Sequence, residues 1–223
     1  MSETISHILN RGVERRKIFL SQKDYLRFIH NLEDFNSQEI TSLSYRNRRK
    51  YADAKRSEVT PPKSPLVDVI CWCLIANHFH IMAREKIDKG ASAFAQKLTV
   101  GYTMYFNPRH QRNGTLFQGR TKIIPILRDA HFLHLPFYIL ANPLDLFEPR
   151  WREKGIKNPK RAFRYLENYR WSAFRDLIGN QNFPKSINKE IFFDLFETNE
   201  KKLRDDFLEW LAGYSQDEDW TRF

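Results

Sequence analysis

Between positions 67 and 86 the chain reads VDVICWCLIANHFHIMAREK, two strand-like runs hinged near Ala76 and Asn77. A break that short between two such runs calls for a hairpin or tight turn, with the histidines beginning the second strand. Side chains alternate faces along a strand, so His78 and His80 share one face while Phe79 points to the other. Two neutral imidazoles held side by side can bind a divalent metal; a strand whose histidines face solvent or a hydrogen-bonded core has the same pattern. Cys71 and Cys73 are the only two cysteines. A CxC pair with no further cysteine is a poor zinc site and a poor disulfide framework, so both are expected as small buried apolar residues.

The segments on either side alternate in character. TISHILNRGVERRKIFL suggests a strand, a basic loop and a short extended return. Ser21 has the chemistry of an N-cap for a helix running to about Phe35, with Tyr25, Phe28, Ile29 and Leu32 at helical spacing. A helix opened by Asp88 carries Phe94, Leu98 and Tyr102 along one side; TKIIPIL is another strand. RDAHFLHLPFYILANPL is expected as a helix ended by Pro143, with Pro136 able to kink it. The tail has the basic stretch GIKNPKRAFRYLENYRWSAFRDLIG and one final helix within INKEIFFDLFETNEKKLRDDFLEWLAGY. Positions 37 to 64 lose hydrophobic periodicity and gather six arginines and lysines before two prolines. That segment fits a solvated insertion and a nucleic-acid-binding loop equally.

A chain of 223 residues has room for one well-cored domain with decoration. Lys and Arg number 37 against 27 acidic residues, a formal charge of +10, and 14% of residues are aromatic. This balance favours polyanions, nucleic acid before anionic membrane. No apolar run approaches the roughly 20 residues of a spanning helix. The N-terminus lacks a basic region followed by an apolar stretch, so no secretory signal is visible and cytoplasmic residence is expected.

Tyr138 and Asn142 stand four apart in FYILANPL, so on a helix they share a face. A phenol and an amide oxygen so placed are candidates for a nucleophile and a metal ligand. The competing structural roles are an aromatic packed on the sheet and a helix C-terminal residue ahead of Pro143.

NRGVERRKIFL, LIANHFHIM, GYTMYFNPRHQRNGTLFQGRTKIIPI, FYILANPL and YRWSAFRDL follow one another in an order that resembles the signatures of IS200-like tyrosine transposases, most of all the REP-associated branch. The resemblance spans roughly residues 4 to 180, and several motifs in order are far more specific than the histidine pair alone. It differs at Ile75 and Ala76, where the family has Met-Pro, and at Pro136 and Ala141. The resemblance implies an α+β fold of ferredoxin or RRM type: an HUH endonuclease domain at 1–145, with a central antiparallel sheet, flanking helices and a basic insertion at 37–64. A basic, helical C-terminal extension would occupy 146–223. It implies that His78, His80 and Asn142 hold Mg2+ or Mn2+ and that Tyr138 attacks a phosphodiester of single-stranded or hairpin DNA. The products would be a 5′-phosphotyrosine and a free 3′-hydroxyl. Arg11, Arg15, Arg16, Arg120 and Lys122 are candidate phosphate contacts. A catalytically silent DNA-binding protein of the same fold is the alternative. A zinc hydrolase ranks last, for want of an HExxH pattern. Monomer and homodimer both stay open.

Overall fold

A computed structural model of the chain describes residues 4–38 and 64–214. Most of the basic insertion expected at 37–64 therefore lies outside the described residues. The elements relevant to the site are β1 (Ile5–Arg11), α1 (Gln22–Asp34), β2 (Val67–Ile75), β3 (His78–Glu85), α2 (Gly90–Arg109), β4 (Lys122–Pro125) and α3 (Asp129–Ala141). The four strands form one antiparallel sheet in the order β2-β3-β1-β4. This βαββαβ order is the ferredoxin-like arrangement, and the fold is α+β as expected.

Burial explains why β2 and β3 occupy the middle of the molecule. All nine residues of β2 are buried, so the strand is covered on both faces. On one face Phe28 of α1 lies 5.0 Å from Phe79, with Tyr102 of α2 edge-on to Phe28 at 5.0 Å. The other face is covered by α3, which lies against β2 and β3. Along the outer side of β2 the C-terminal half adds its own backbone bonds: Leu74 donates to the Trp171 carbonyl at 2.9 Å, and Ala173 donates to the Trp72 carbonyl at 3.0 Å. Cys71 and Cys73 are free thiols with no exposed surface, inside the core.

Local chemistry sets the boundaries. Asp24 accepts from the Ser21 backbone amide at 2.8 Å and closes a capping box at the start of α1. The tight turn after β1, Val13–Arg15, is left-handed at Glu14 and Arg15 and is entered through Gly12, where a Cβ would meet the Arg16 carbonyl at 2.2 Å. The extended return expected there is held to the β2–β3 turn by two amides, Ile18 and Phe19, on the one carbonyl of Ala76. β4 is shorter than TKIIPIL, ending at Pro125, which has no amide proton for a ladder. α3 accommodates Pro136 in its interior.

The single final helix expected within 187–214 is instead two, α8 (Lys189–Leu195) and α9 (Glu200–Gly213). Before them come four short helices: α4 (Leu144–Phe147), α5 (Trp151–Lys154), α6 (Pro159–Asn168) and α7 (Phe174–Leu177). Glu197 at φ 45° turns the chain between α8 and α9. Asn199 then caps α9, accepting from the amides of Lys201 and Lys202 at 3.1 and 3.0 Å. Hydrophobic periodicity runs through such a break unchanged, and only the capping asparagine marks it.

Candidate functional site

The register of the sheet gathers the site. Leu9 lies opposite His80 and Arg11 opposite His78, while β4 brings Lys122 opposite Leu9. Directly paired residues point the same way, so Arg11, His78, His80 and Lys122 share the face covered by α3. His78 and His80 have ring centroids 5.0 Å apart. Tyr138 presents its ring edge-on to His80 at 6.1 Å, and Asn142, one turn further, is 1% exposed. The two histidines of β3, the tyrosine of α3 and the asparagine that caps the helix are thus brought to one place by the packing of helix on sheet.

A cavity of about 540 Å³ opens beside them. Its lining includes His78 and His80 with four cations, Arg11, Arg15, Arg120 and Lys122, and among the described residues no carboxylate lines it. A water-filled cleft with low-dielectric walls and one sign of charge concentrates field on an anion. Arg16 is placed otherwise: its guanidinium meets Glu14 at 3.2 Å and the Val13 carbonyl at 3.2 Å. Of the five basic residues expected to contact phosphate, four face the cavity.

The protonation states follow from burial. His80 is held well below the ordinary histidine value by burial, and further by His7, His78 and Arg152. His78 is also lowered, burial outweighing the opposite pull of Asp145 and of its hydrogen bond with Asn142. Both rings are therefore neutral near neutral pH, the form that ligates metals. Asn77 Nδ2 donates to the Arg15 carbonyl at 3.4 Å, which turns its Oδ1 toward His78 Nδ1 at 2.7 Å. A neutral His78 donating there has no proton left for the Asn142 side chain on its other side. Two imidazole nitrogens and an amide oxygen form a donor set that suits a divalent cation. No cluster of three His, Cys, Asp or Glu suited to a metal occurs among the described residues. Beside the two imidazoles the further oxygen is the side-chain amide of Asn142.

That amide already has partners. Its Nδ2 donates to the Tyr138 carbonyl at 2.8 Å and the Ile139 carbonyl at 3.3 Å, while its Oδ1 accepts from Arg152 at 3.1 Å. Arg152 also donates to Asp145 and lies 5.1 Å over the Tyr138 ring. Arg152, Asp145 and His7 were not read from the sequence. Arg152 stands ten residues beyond Asn142 among other basic residues, and only the turn through α4 and α5 returns it. His7 carried a fainter signal, a histidine alternating with apolar residues in the first strand.

No protein-family model matches the chain, and no curated protein matches it. Among solved structures, a REP-associated tyrosine transposase bound to a REP hairpin is similar over 84% of this chain and 87% of that one, at 12% identity and a TM-score of 0.48.

Proposed function

We propose that the protein is a metal-dependent transesterase that cleaves and rejoins single-stranded or hairpin DNA through Tyr138. The observation that carries this reading is the convergence of two neutral imidazoles, an amide oxygen and a phenol beside a cleft lined by four cations and no carboxylate. His78, His80 and Asn142 would hold Mg2+ or Mn2+, which when bound withdraws charge from a phosphate oxygen. Imidazole ligands suit manganese better than magnesium. Arg11, Arg15, Arg120 and Lys122 bind and orient the strand through its phosphates. Tyr138 Oη forms a bond to phosphorus as the bond from phosphorus to the 3′ oxygen breaks. The phenolic proton departs, and the 3′ oxygen gains one. The phosphotyrosine keeps the energy of the broken ester for rejoining.

The contact between Arg152 and the Asn142 oxygen favours a second reading, a protein that binds DNA without cutting it. One experiment separates the two. Labelled hairpins with single-stranded flanks are incubated with the protein and Mn2+ and resolved on a denaturing gel. A covalent adduct that maps to Tyr138 and vanishes in Tyr138→Phe supports the transesterase. Binding with no adduct at any metal concentration supports the second reading, and an adduct that survives Tyr138→Phe removes the proposed nucleophile.

A further inference from the structure

His7 is fully buried in the middle of β1. The register sets it opposite Met82, two pairs along from the Leu9–His80 pair and on the same face, so its ring reaches His80 diagonally across the sheet. The two rings lie edge to edge and nearly coplanar, centroids 5.0 Å apart with planes 23° apart, and His7 Nε2 lies 2.8 Å from His80 Nδ1. A separation of that size between two imidazole nitrogens means that one proton is shared between them. Which ring carries it decides what the far nitrogen of His80 can do. If His7 donates, His80 holds its own proton on Nε2 and has no lone pair there. If His80 donates from Nδ1, its Nε2 is a free donor atom on the face that carries His78 and Tyr138.

We propose that His7 is a positioning residue that accepts the Nδ1 proton of His80, fixing the ring's rotamer and tautomer so that Nε2 is presented to a divalent cation. This rests on the reading above that His80 is a metal ligand. His7 replaces the carboxylate or carbonyl that commonly orients a ligating histidine from behind. A neutral acceptor suits this position, because a carboxylate buried in the sheet would need its own counter-charge. Asn77 plays the matching part for His78, with its Oδ1 on that ring's Nδ1. Both imidazoles of the pair are thereby held through Nδ1, and both Nε2 atoms are left for a ligand.

The test uses the full chain without DNA. His7→Met removes the acceptor at similar volume, and His7→Gln keeps an oxygen that reaches the same point. Mn2+ affinity is measured by calorimetry, with melting in chelator as the check on folding. Loss of an outer partner typically weakens metal affinity about 10- to 100-fold. That loss is expected for His7→Met, and His7→Gln should keep most of the wild-type affinity. NMR of isotope-labelled histidines in the unsubstituted, metal-free protein reads the tautomer directly and needs no variant to fold; the proton of His80 is expected on Nδ1. A proton on His80 Nε2, or unchanged manganese binding in a folded His7→Met, would overturn the proposal alone. Absence of any manganese site in the wild-type protein overturns the parent reading and this proposal with it.

Discussion

Replacing Asn142 by alanine separates a structural role from a ligand role within one residue. Pro143 has no amide proton, so the Ile139 carbonyl cannot receive its regular helical bond four residues on. The Asn142 amide turns back to Ile139 at 3.3 Å, which deprives the Tyr138 carbonyl in turn. Asn142 Nδ2 fills the gap, at 2.8 Å from Tyr138 and 3.3 Å from Ile139, while Oδ1 takes an Arg152 proton at 3.1 Å. Two neutral bonds of about 1 kcal/mol and one charge-assisted bond of about 2 kcal/mol, all at a buried site, put the loss at about 2–4 kcal/mol. For a chain of this size that lowers Tm by about 5–15 °C. The ligand role appears in the same melt. At 100 times its dissociation constant, Mn2+ adds about 2.7 kcal/mol to the wild-type protein, and none of this is expected in Asn142→Ala. Differential scanning calorimetry with chelator and with Mn2+ gives both numbers. A metal-free Tm within about 2 °C of wild type would refute the capping argument. An undiminished rise with manganese would remove Asn142 from the ligand set.

Arg152→Met takes a positive charge away from His78, His80 and the Asn142 oxygen, so Mn2+ affinity should rise by about tenfold in calorimetry; equal or weaker affinity counts against competition between guanidinium and metal. Asp24 accepts from Leu20, Ser21, Tyr105 and His110 with no exposed surface, and Asp24→Asn should cost about 2–4 kcal/mol in urea melts. Burial pushes its carboxyl up, but the bonds from His110, Leu20 and Ser21 outweigh this and hold it below its ordinary value near 3.8. The carboxylate's contribution is therefore present above that value and lost as pH falls through the lower folded one, so the gap between variant and wild type should close in acid. A gap independent of pH would show that the carboxylate's charge is not what matters. Affinity for hairpin DNA should fall steeply with salt, and Arg120→Ala or Lys122→Ala should each reduce the log–log slope by about 0.7–0.9. A slope unchanged in both would place the phosphates elsewhere.

The hairpin at 67–85 was legible because alternation and a two-residue hinge are local properties, and so were α1, with its Ser21 cap, and the facing of His78 with His80. Tyr138 and Asn142 were legible as a pair because four residues make one helical turn. The order of motifs pointed to the α+β sheet. Other features depended on long-range packing. Nothing near position 7 says that β1 will lie beside β3 in a register that brings His7 within 2.8 Å of His80. Nothing near position 152 says that two short helices will return a guanidinium to an amide ten residues earlier. Arg16 is chemically the same as Arg15, yet a left-handed turn at Glu14 and Arg15 leaves one on Glu14 and the other on the cavity. Sequence fixes what a side chain can donate, accept or ligate, and how neighbours on one element are aimed. Which groups meet across elements, and which are desolvated enough to be neutral, is decided when helix closes on sheet, because burial and register are properties of the whole fold.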